Sequence, residues 1–184
     1  EQPGAERVTT AALAAHLEVS EAALYRHFAS KAQMFEGLID FIEQSVFSLV
    51  NQIAIRESVT GMTDASQDAA SGTRQAGQVV AMLMQFAEKN PGMTRVMVGD
   101  ALVFENDRLQ ERMNQFFDKL ESSLKQSLRD AAAAGGAATP TADAQVTASV
   151  VVAFMVGRLH RFARSGFKRL PSDSLESSRA PILA

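Results

Sequence analysis

The sequence has no cysteine and no tryptophan, a single tyrosine, and only five prolines in 184 residues. Without cysteine there is no disulfide framework and no thiolate metal site, a composition that suits a reducing cytosol. Its three histidines, His16, His27 and His160, are scattered, with no carboxylate–histidine spacing that would ligate a metal. No glycine-rich loop is placed to cradle phosphates, and Glu105 and Asp107 beside Arg108 read as a helix-start cluster, not an acid–base pair. The expectation is therefore a protein with no catalytic residues, no metal and no cofactor. Long apolar runs are missing as well. The longest, Ala148 to Val156, is interrupted by Ser149 and is far shorter than the roughly 20 residues of a bilayer span. With no charged-then-apolar leader, the expectation is a cytoplasmic protein with no membrane partner. The sequence opens at Glu1, not methionine, and residues are expected to precede it.

What is present is apolar and helical in rhythm. Hydrophobic residues make up 46% of the chain, and the net charge is −3. An acidic total argues against a protein that coats nucleic acid. It does not exclude a local basic reading surface, because salt screens charge beyond about 8–10 Å. Proline and glycine cluster at Pro3-Gly4, at Asn90-Pro91-Gly92, at Gly135-Gly136 with Pro140, and from Pro171 onward. Between these breaks the apolar period is 3.6, which predicts an all-α fold without internal repeats.

Thr9 or Thr10 can cap a helix to about Leu17, and Ser20 the next, Glu21 to about Phe28. A long helix is expected from Lys31 to about Arg56, with Met34, Phe35, Leu38, Ile42, Val46, Leu49 and Ile53 on its buried stripe. Phe41 falls at the rim of that stripe, where core and surface are both open, and Phe47 belongs under a neighbouring helix. The polar stretch Glu57–Arg74 is expected to be a mobile loop. Helices are then expected over Gln75–Lys89, Thr94–Phe104, Asn106 or Asp107 to about Ala134, and Asp143–Phe167. Ala131–Ala138 reads as a low-complexity linker, and the tail beyond Pro171 holds one short piece. The last strong helix is apolar on many sides, through Val146, Val150, Val151, Val152, Phe154, Met155, Val156, Leu159 and Phe162, which suits a central or interface position. Arg158, Arg161, Arg164, Lys168 and Arg169 crowd its C-terminal end. They read first as dipole compensation on a solvated face, or alternatively as a second contact surface.

The first two helices, joined by a tight turn at Glu18-Val19-Ser20, form a helix-turn-helix. In such a unit the second helix enters the DNA major groove. Ala22 and Ala23 are small enough for close approach. Tyr25, Arg26 and His27 can reach bases or phosphates, and Lys31 the backbone. Thr9, Thr10 and Ser20 offer hydroxyls at helix N-termini, which suit phosphate. Leu13, Leu17, Val19, Leu24 and Phe28 need a further helix across them, expected upstream of Glu1. The division that follows is a helix-turn-helix domain over residues 1–31 and a helical dimerisation and partner-binding domain over residues 32–184.

The run from Thr9 through Val19-Ser-Glu-Ala-Ala-Leu-Tyr-Arg-His-Phe28 to Ser30-Lys31 resembles the DNA-binding domain of TetR-family regulators. Nearly the whole chain further resembles the nucleoid occlusion branch of that family. The resemblance is carried by Ser20–Phe28, Met34–Glu43, Glu88–Arg95, Ala101–Phe117 and Arg161–Asp173, and it departs between Ser58 and Gln75 and around Gly135-Gly136. It implies a TetR-like fold and a homodimer, paired through the C-terminal helices, that binds palindromic double-stranded DNA on the nucleoid. When bound to DNA, such a protein antagonises the division protein FtsZ. The resemblance places Phe41, Lys89 and Asn90 on the FtsZ-facing surface, with Leu49, Met82 and Gln85 where that surface differs. Two alternatives stay open. One is a conventional TetR repressor whose small-molecule pocket is lined by Met82, Met84, Met93, Met97, Met113 and Met155. The other is a helical interaction module whose basic end meets acidic partners.

Overall fold

A computed structural model describes residues 9–60 and 65–183, and among them the chain is helical with connecting turns and no strand. Helix α1, Thr10–His16, starts under Thr9, whose hydroxyl accepts the Ala12 N–H at 3.1 Å. Glu18 takes a left-handed turn conformation (φ 54°). Helix α2, Glu21–His27, follows under Ser20, which accepts the Ala23 N–H at 3.2 Å. Each cap satisfies one of the orphan amides of its first turn. The expected helix upstream of Glu1, like Pro3-Gly4, lies outside the described residues.

Helix α3 runs Lys31–Thr60. Its buried stripe is Phe35, Ile39, Ile42, Val46 and Val50, turned from the expected one. Ile39 and Val50 replace Leu49, which is exposed, while Met34, Leu38 and Ile53 sit half-buried at the edges. The apolar residues surround more of this helix than one neighbour can cover, so packing, not periodicity, selects the stripe.

The expected loop Glu57–Arg74 is corrected. Helix α3 continues through Glu57, and helix α4, Ala65–Lys89, begins ten residues before the expected Gln75. Polar sequence is compatible with helix here, and Glu57 is buried where it meets α4. Its carboxylate accepts from Ser71 Oγ (3.2 Å), Arg74 Nε (3.0 Å) and Gln78 Nε2 (2.7 Å). A hydrogen-bonded, charge-paired carboxylate is the form in which burial is tolerated.

The expected helix Thr94–Phe104 is also divided. Helix α5, Pro91–Met97, has proline in its first turn, and a single 3₁₀ turn covers Asp100–Leu102. Gly99 breaks them with φ 83°, a left-handed conformation that favours glycine. Helix α6, Asp107–Ala134, is capped by Asn106 Oδ1 on the Arg108 N–H at 2.9 Å. It runs as helix into the expected linker, with Ala131 buried. Helix α7, Pro140–Arg164, starts three residues before the expected Asp143, because Pro140 fits the first turn. A short α8, Leu175–Arg179, closes the described chain.

Short connections make α3 with α4, and α6 with α7, antiparallel hairpins. Helix α4 lies so close to the end of α6 that a Cβ on Gly72 would stand 2.2 Å from the Ser127 carbonyl oxygen. The core between α3, α4, α6 and α7 includes Ile42, Leu83, Phe116, Leu120, Met155 and Leu159. Phe47 meets Phe116 edge-on at 5.9 Å, under its neighbour as expected. By length and composition, Lys31–Glu57 and Pro140–Arg164 could each cross a membrane. In this fold both pack against the other body helices through their buried stripes. One end of the body gathers the start of α3, the end of α4, α5, the start of α6 and the end of α7; α1 and α2 attach there.

Candidate nucleic-acid interface and partner faces

In α2 only Leu24 is buried, facing the rest of the fold. The opposite side carries Ala22, Tyr25 and Arg26, all exposed, with Ala23 half-buried and His27 exposed along one edge at i, i+4 spacing. Tyr25 is 45% exposed. Among the described residues, Tyr25, Arg26 and His27 make no ion pair or hydrogen bond through their side chains, so this surface presents a phenol, a guanidinium and an imidazole to solvent. A flat alanine floor beside unpaired donors is the arrangement a major-groove helix needs.

Thr9 and Ser20 stand at helix starts and serve as caps, a role compatible with phosphate contact at the same amides. Thr10 is already engaged, donating its hydroxyl to Glu21 Oε2 at 2.8 Å and tying α1 to α2. Lys31 is engaged within the protein. Its ammonium pairs with Glu105 and lies 5.7 Å from the Phe35 ring centroid. Glu105 comes from a turn 74 residues further along, so the sequence offered no sign that this lysine is claimed.

That pair begins a ladder between α3 and α6, which run side by side in the same direction. Glu36 meets Arg108 (3.7 Å), Asp40 meets Arg112 (2.6 Å), and Glu43 meets both Arg112 (3.7 Å) and Lys119. The Arg112 pKa is raised, first by its hydrogen bond to Asp40, against an opposing desolvation, with Asp40, Glu43 and Glu36 adding coulombic attraction. Sequence reasoning missed this ladder. Its signal was an i, i+4, i+7 acidic spacing at 36, 40 and 43 facing a basic one at 108, 112 and 119, which is readable only once the two helices are known to adjoin. Mechanically it fastens to the body the helix that leads into α1 and α2.

On the outer side of α3 and α4, Phe41 is 54% exposed, a surface aromatic and not core. Lys89 is exposed too. Asn90 is half-buried and donates its Nδ2 to the Phe86 carbonyl at 2.8 Å, so part of that side chain finishes α4. The antiparallel register pinned by Glu57 brings Phe41 level with Lys89 and Asn90, and Leu49 level with Met82 and Gln85. A separate stripe at i+4, i+3, i+4 spacing runs along α7: Val146 (64% exposed), Val150 (48%), Ala153 and Gly157.

Of the six methionines offered for an effector pocket, Met84, Met97, Met113 and Met155 are buried in the core and Met82 and Met93 pack against it. An apolar groove of about 310 Å³ lies elsewhere, under α1, where Leu13, Met34, Phe35 and Leu38 face Val96 and Ala101. Among the described residues no group of three metal-ligating side chains comes together.

The family description for bacterial regulatory proteins of the tetR family matches residues 1–38. The tetracyclin repressor-like, C-terminal domain of SlmA-like type matches residues 73–182. Nucleoid occlusion factor SlmA of Vibrio cholerae serotype O1 is 46% identical over 98% of this chain and 86% of its own length. Those of Aliivibrio fischeri strain MJ11 and Escherichia coli O1:K1 / APEC are 46% and 44% identical over 98% of this chain, with 86% and 84% of their own lengths covered. An all-helical body, a capped helix-turn-helix at its N-terminal side and relatives alike along almost the entire sequence lead to one assignment: the chain belongs to the SlmA family of tetR-type regulators.

Proposed function

We propose that this protein is a nucleoid occlusion factor: a DNA-binding homodimer that restrains FtsZ-dependent division over the chromosome. The observation that carries the reading is the outer face of α2, where Tyr25, Arg26 and His27 stand unpaired above Ala22 on a helix started by Ser20. The α7 stripe at Val146 and Val150 supplies the dimer contact. Two-fold pairing sets two α2 helices against half-sites about 34–36 Å apart, the geometry a palindrome requires. The surface at Phe41, Lys89 and Asn90 is the face offered to FtsZ, separate from α2, so DNA and partner can be held together. The protein then resides in the cytoplasm on the nucleoid, with residues 1–31 reading DNA and residues 32–184 pairing and binding the partner. A conventional repressor gains no support from the methionines, which fill the core.

The test mixes protein, a chromosomal duplex that it retains, and FtsZ, and follows polymer by light scattering. Loss of polymer only when DNA and protein are both present is expected. Polymers indifferent to the complex would leave a DNA-binding repressor in place of a division inhibitor.

A further inference from the structure

Five cationic side chains, Arg158, Arg161, Arg164, Lys168 and Arg169, fall in one short stretch of a chain whose net charge is −3. Among the described residues none of the five forms an ion pair, whereas Lys31 of α3 and Arg108, Arg112 and Lys119 of α6 are all paired. Compensation of the α7 dipole does not account for the order of the turn beyond the helix. Ser165 Oγ accepts the N–H groups of Lys168 (3.1 Å) and Arg169 (2.9 Å), and the Phe167 ring stands edge-on to Phe162 at 5.1 Å. The backbone carrying Lys168 and Arg169 is thereby held in one shape. Arg158 is fixed too. It donates to the carbonyls of Pro171 (3.3 Å) and Asp173 (2.6 Å) and to Ser178 Oγ (2.6 Å), and lies 4.9 Å from the Phe154 ring centroid. Those partners are neutral, so its charge is oriented but not cancelled. Beside it opens a cleft of about 290 Å³ lined by Arg158, Arg161, Arg169 and the turn from Leu170 to Ser174, in which Asp173 is the carboxylate.

The cluster's place in the fold decides what it faces. The Ser172 N–H donates to Glu88 Oε1 at 2.9 Å, which anchors the turn where α4 gives way to α5. Helix α5 in turn contributes Gly92, Arg95 and Val96 to the groove whose other wall is Thr9, Thr10 and Leu13 of the α1 region. The cations therefore lie at the end of the body that carries the recognition helices. Arg161 continues the α7 stripe of Val150, Ala153 and Gly157, so pairing through that stripe gathers two copies of the cluster near the two-fold axis.

We propose that this cluster is a second phosphate-binding surface, through which the body of the dimer holds the DNA backbone between the two half-sites. The inference rests on the DNA-binding reading of α2. Duplex DNA presents one phosphate charge per about 1.7 Å of axis, so any segment passing beneath the body meets the cluster with dense negative charge. Such contacts add affinity and salt dependence without sequence information. They also answer the chain's acidic balance, because the charge that repels DNA is distributed while this cluster is concentrated.

Two variants test it: Arg161→Gln/Arg164→Gln/Lys168→Gln/Arg169→Gln, and Lys168→Gln/Arg169→Gln, which leaves α7 untouched if the larger change disturbs folding or dimerisation. Each is titrated, as the dimer, against duplex fragments that the wild-type protein enriches from chromosomal DNA, across a salt series. Each lost phosphate contact lowers the slope of log affinity against log salt by about 0.9. One contact per protomer therefore removes about 1.8 from the slope, with the ratio of selected to scrambled duplex unchanged. A slope equal to wild type in both variants overturns the proposal while leaving the reading of α2 intact. An equal slope with weakened binding of FtsZ overturns it in favour of an acidic protein partner. Wild-type protein with no salt-dependent DNA binding refutes the reading of α2, and this inference with it.

Discussion

Replacing Val146 and Val150 together by serine should dissociate the dimer without unfolding the protomer. Val146 is 64% and Val150 48% exposed in the single chain, so together they offer somewhat more than one whole valine side chain. Full burial of a valine is worth about 1.5–3 kcal/mol. Two-fold symmetry counts every contact twice, so about 3–6 kcal/mol of association energy rests on four side chains. Serine is smaller and polar and forfeits most of it, costing each helix only a few tenths of a kcal/mol in propensity. At 1.4 kcal/mol per tenfold, the dimer dissociation constant should rise by about 10²–10⁴. Sedimentation velocity over a dilution series reads that shift, and far-UV circular dichroism checks that helicity is kept. Affinity for a palindromic duplex should fall in parallel, since a monomer engages one half-site. A dissociation constant within threefold of wild type would refute the assignment of this stripe to the interface. Loss of helicity would show instead that the two valines support the protomer.

Arg26→Ala should abolish retention of chromosomal duplex while leaving the melting temperature within a degree or two, because the guanidinium makes no ion pair among the described residues; fluorescence anisotropy with a thermal melt decides. Phe41→Ala should change stability by less than about 1 kcal/mol yet weaken binding of FtsZ, whereas Phe116→Ala, fully buried, should cost about 3–5 kcal/mol in urea unfolding. Equal costs at the two sites would return Phe41 to the core. Glu57→Gln keeps the shape but turns an NH₂ toward donors, and should cost about 1.5–3 kcal/mol, lessened because the Arg74 side chain is half exposed. An unchanged urea midpoint would contradict the clip between α3 and α4. Gly72→Val should destabilise by at least about 1–3 kcal/mol through overpacking, since the first added carbon already meets the Ser127 carbonyl.

Much of the architecture was legible because local chemistry decides it. Thr9, one of two expected caps, and Ser20 cap their helices, the long helix begins at Asp107 as one of its two expected starts, and Asn90-Pro91-Gly92 divides α4 from α5. Of the α6 stripe that the spacing picks out, Leu109, Met113, Phe116, Leu120, Leu124 and Leu128 are buried, while Phe117 is half-buried and packs against the core. The reading failed where polarity was taken for disorder. Ser, Asp, Gln and Arg between residues 65 and 74 lie on a helix, and Glu57 is buried because Ser71, Arg74 and Gln78 converge on it. Nothing in the sequence, likewise, marked Lys31, a cation next to the helix-turn-helix, as paired with Glu105.

What the sequence alone determined is the part that rests on neighbours in the chain: helix content, caps, the turn at Glu18-Val19-Ser20 and the residues displayed on α2. A hydrogen bond from residue i to i+3 or i+4 needs no knowledge of the fold. Tertiary structure decided which charges are free. Lys31, Arg108, Arg112 and Lys119 are neutralised across α3 and α6 by residues some seventy positions away, while Arg158, Arg161, Arg164, Lys168 and Arg169 have no carboxylate within ion-pair distance among the described residues. Free charge depends on distances between elements distant in sequence, so only the packed helices separate the cations that hold the body together from those left to meet a partner.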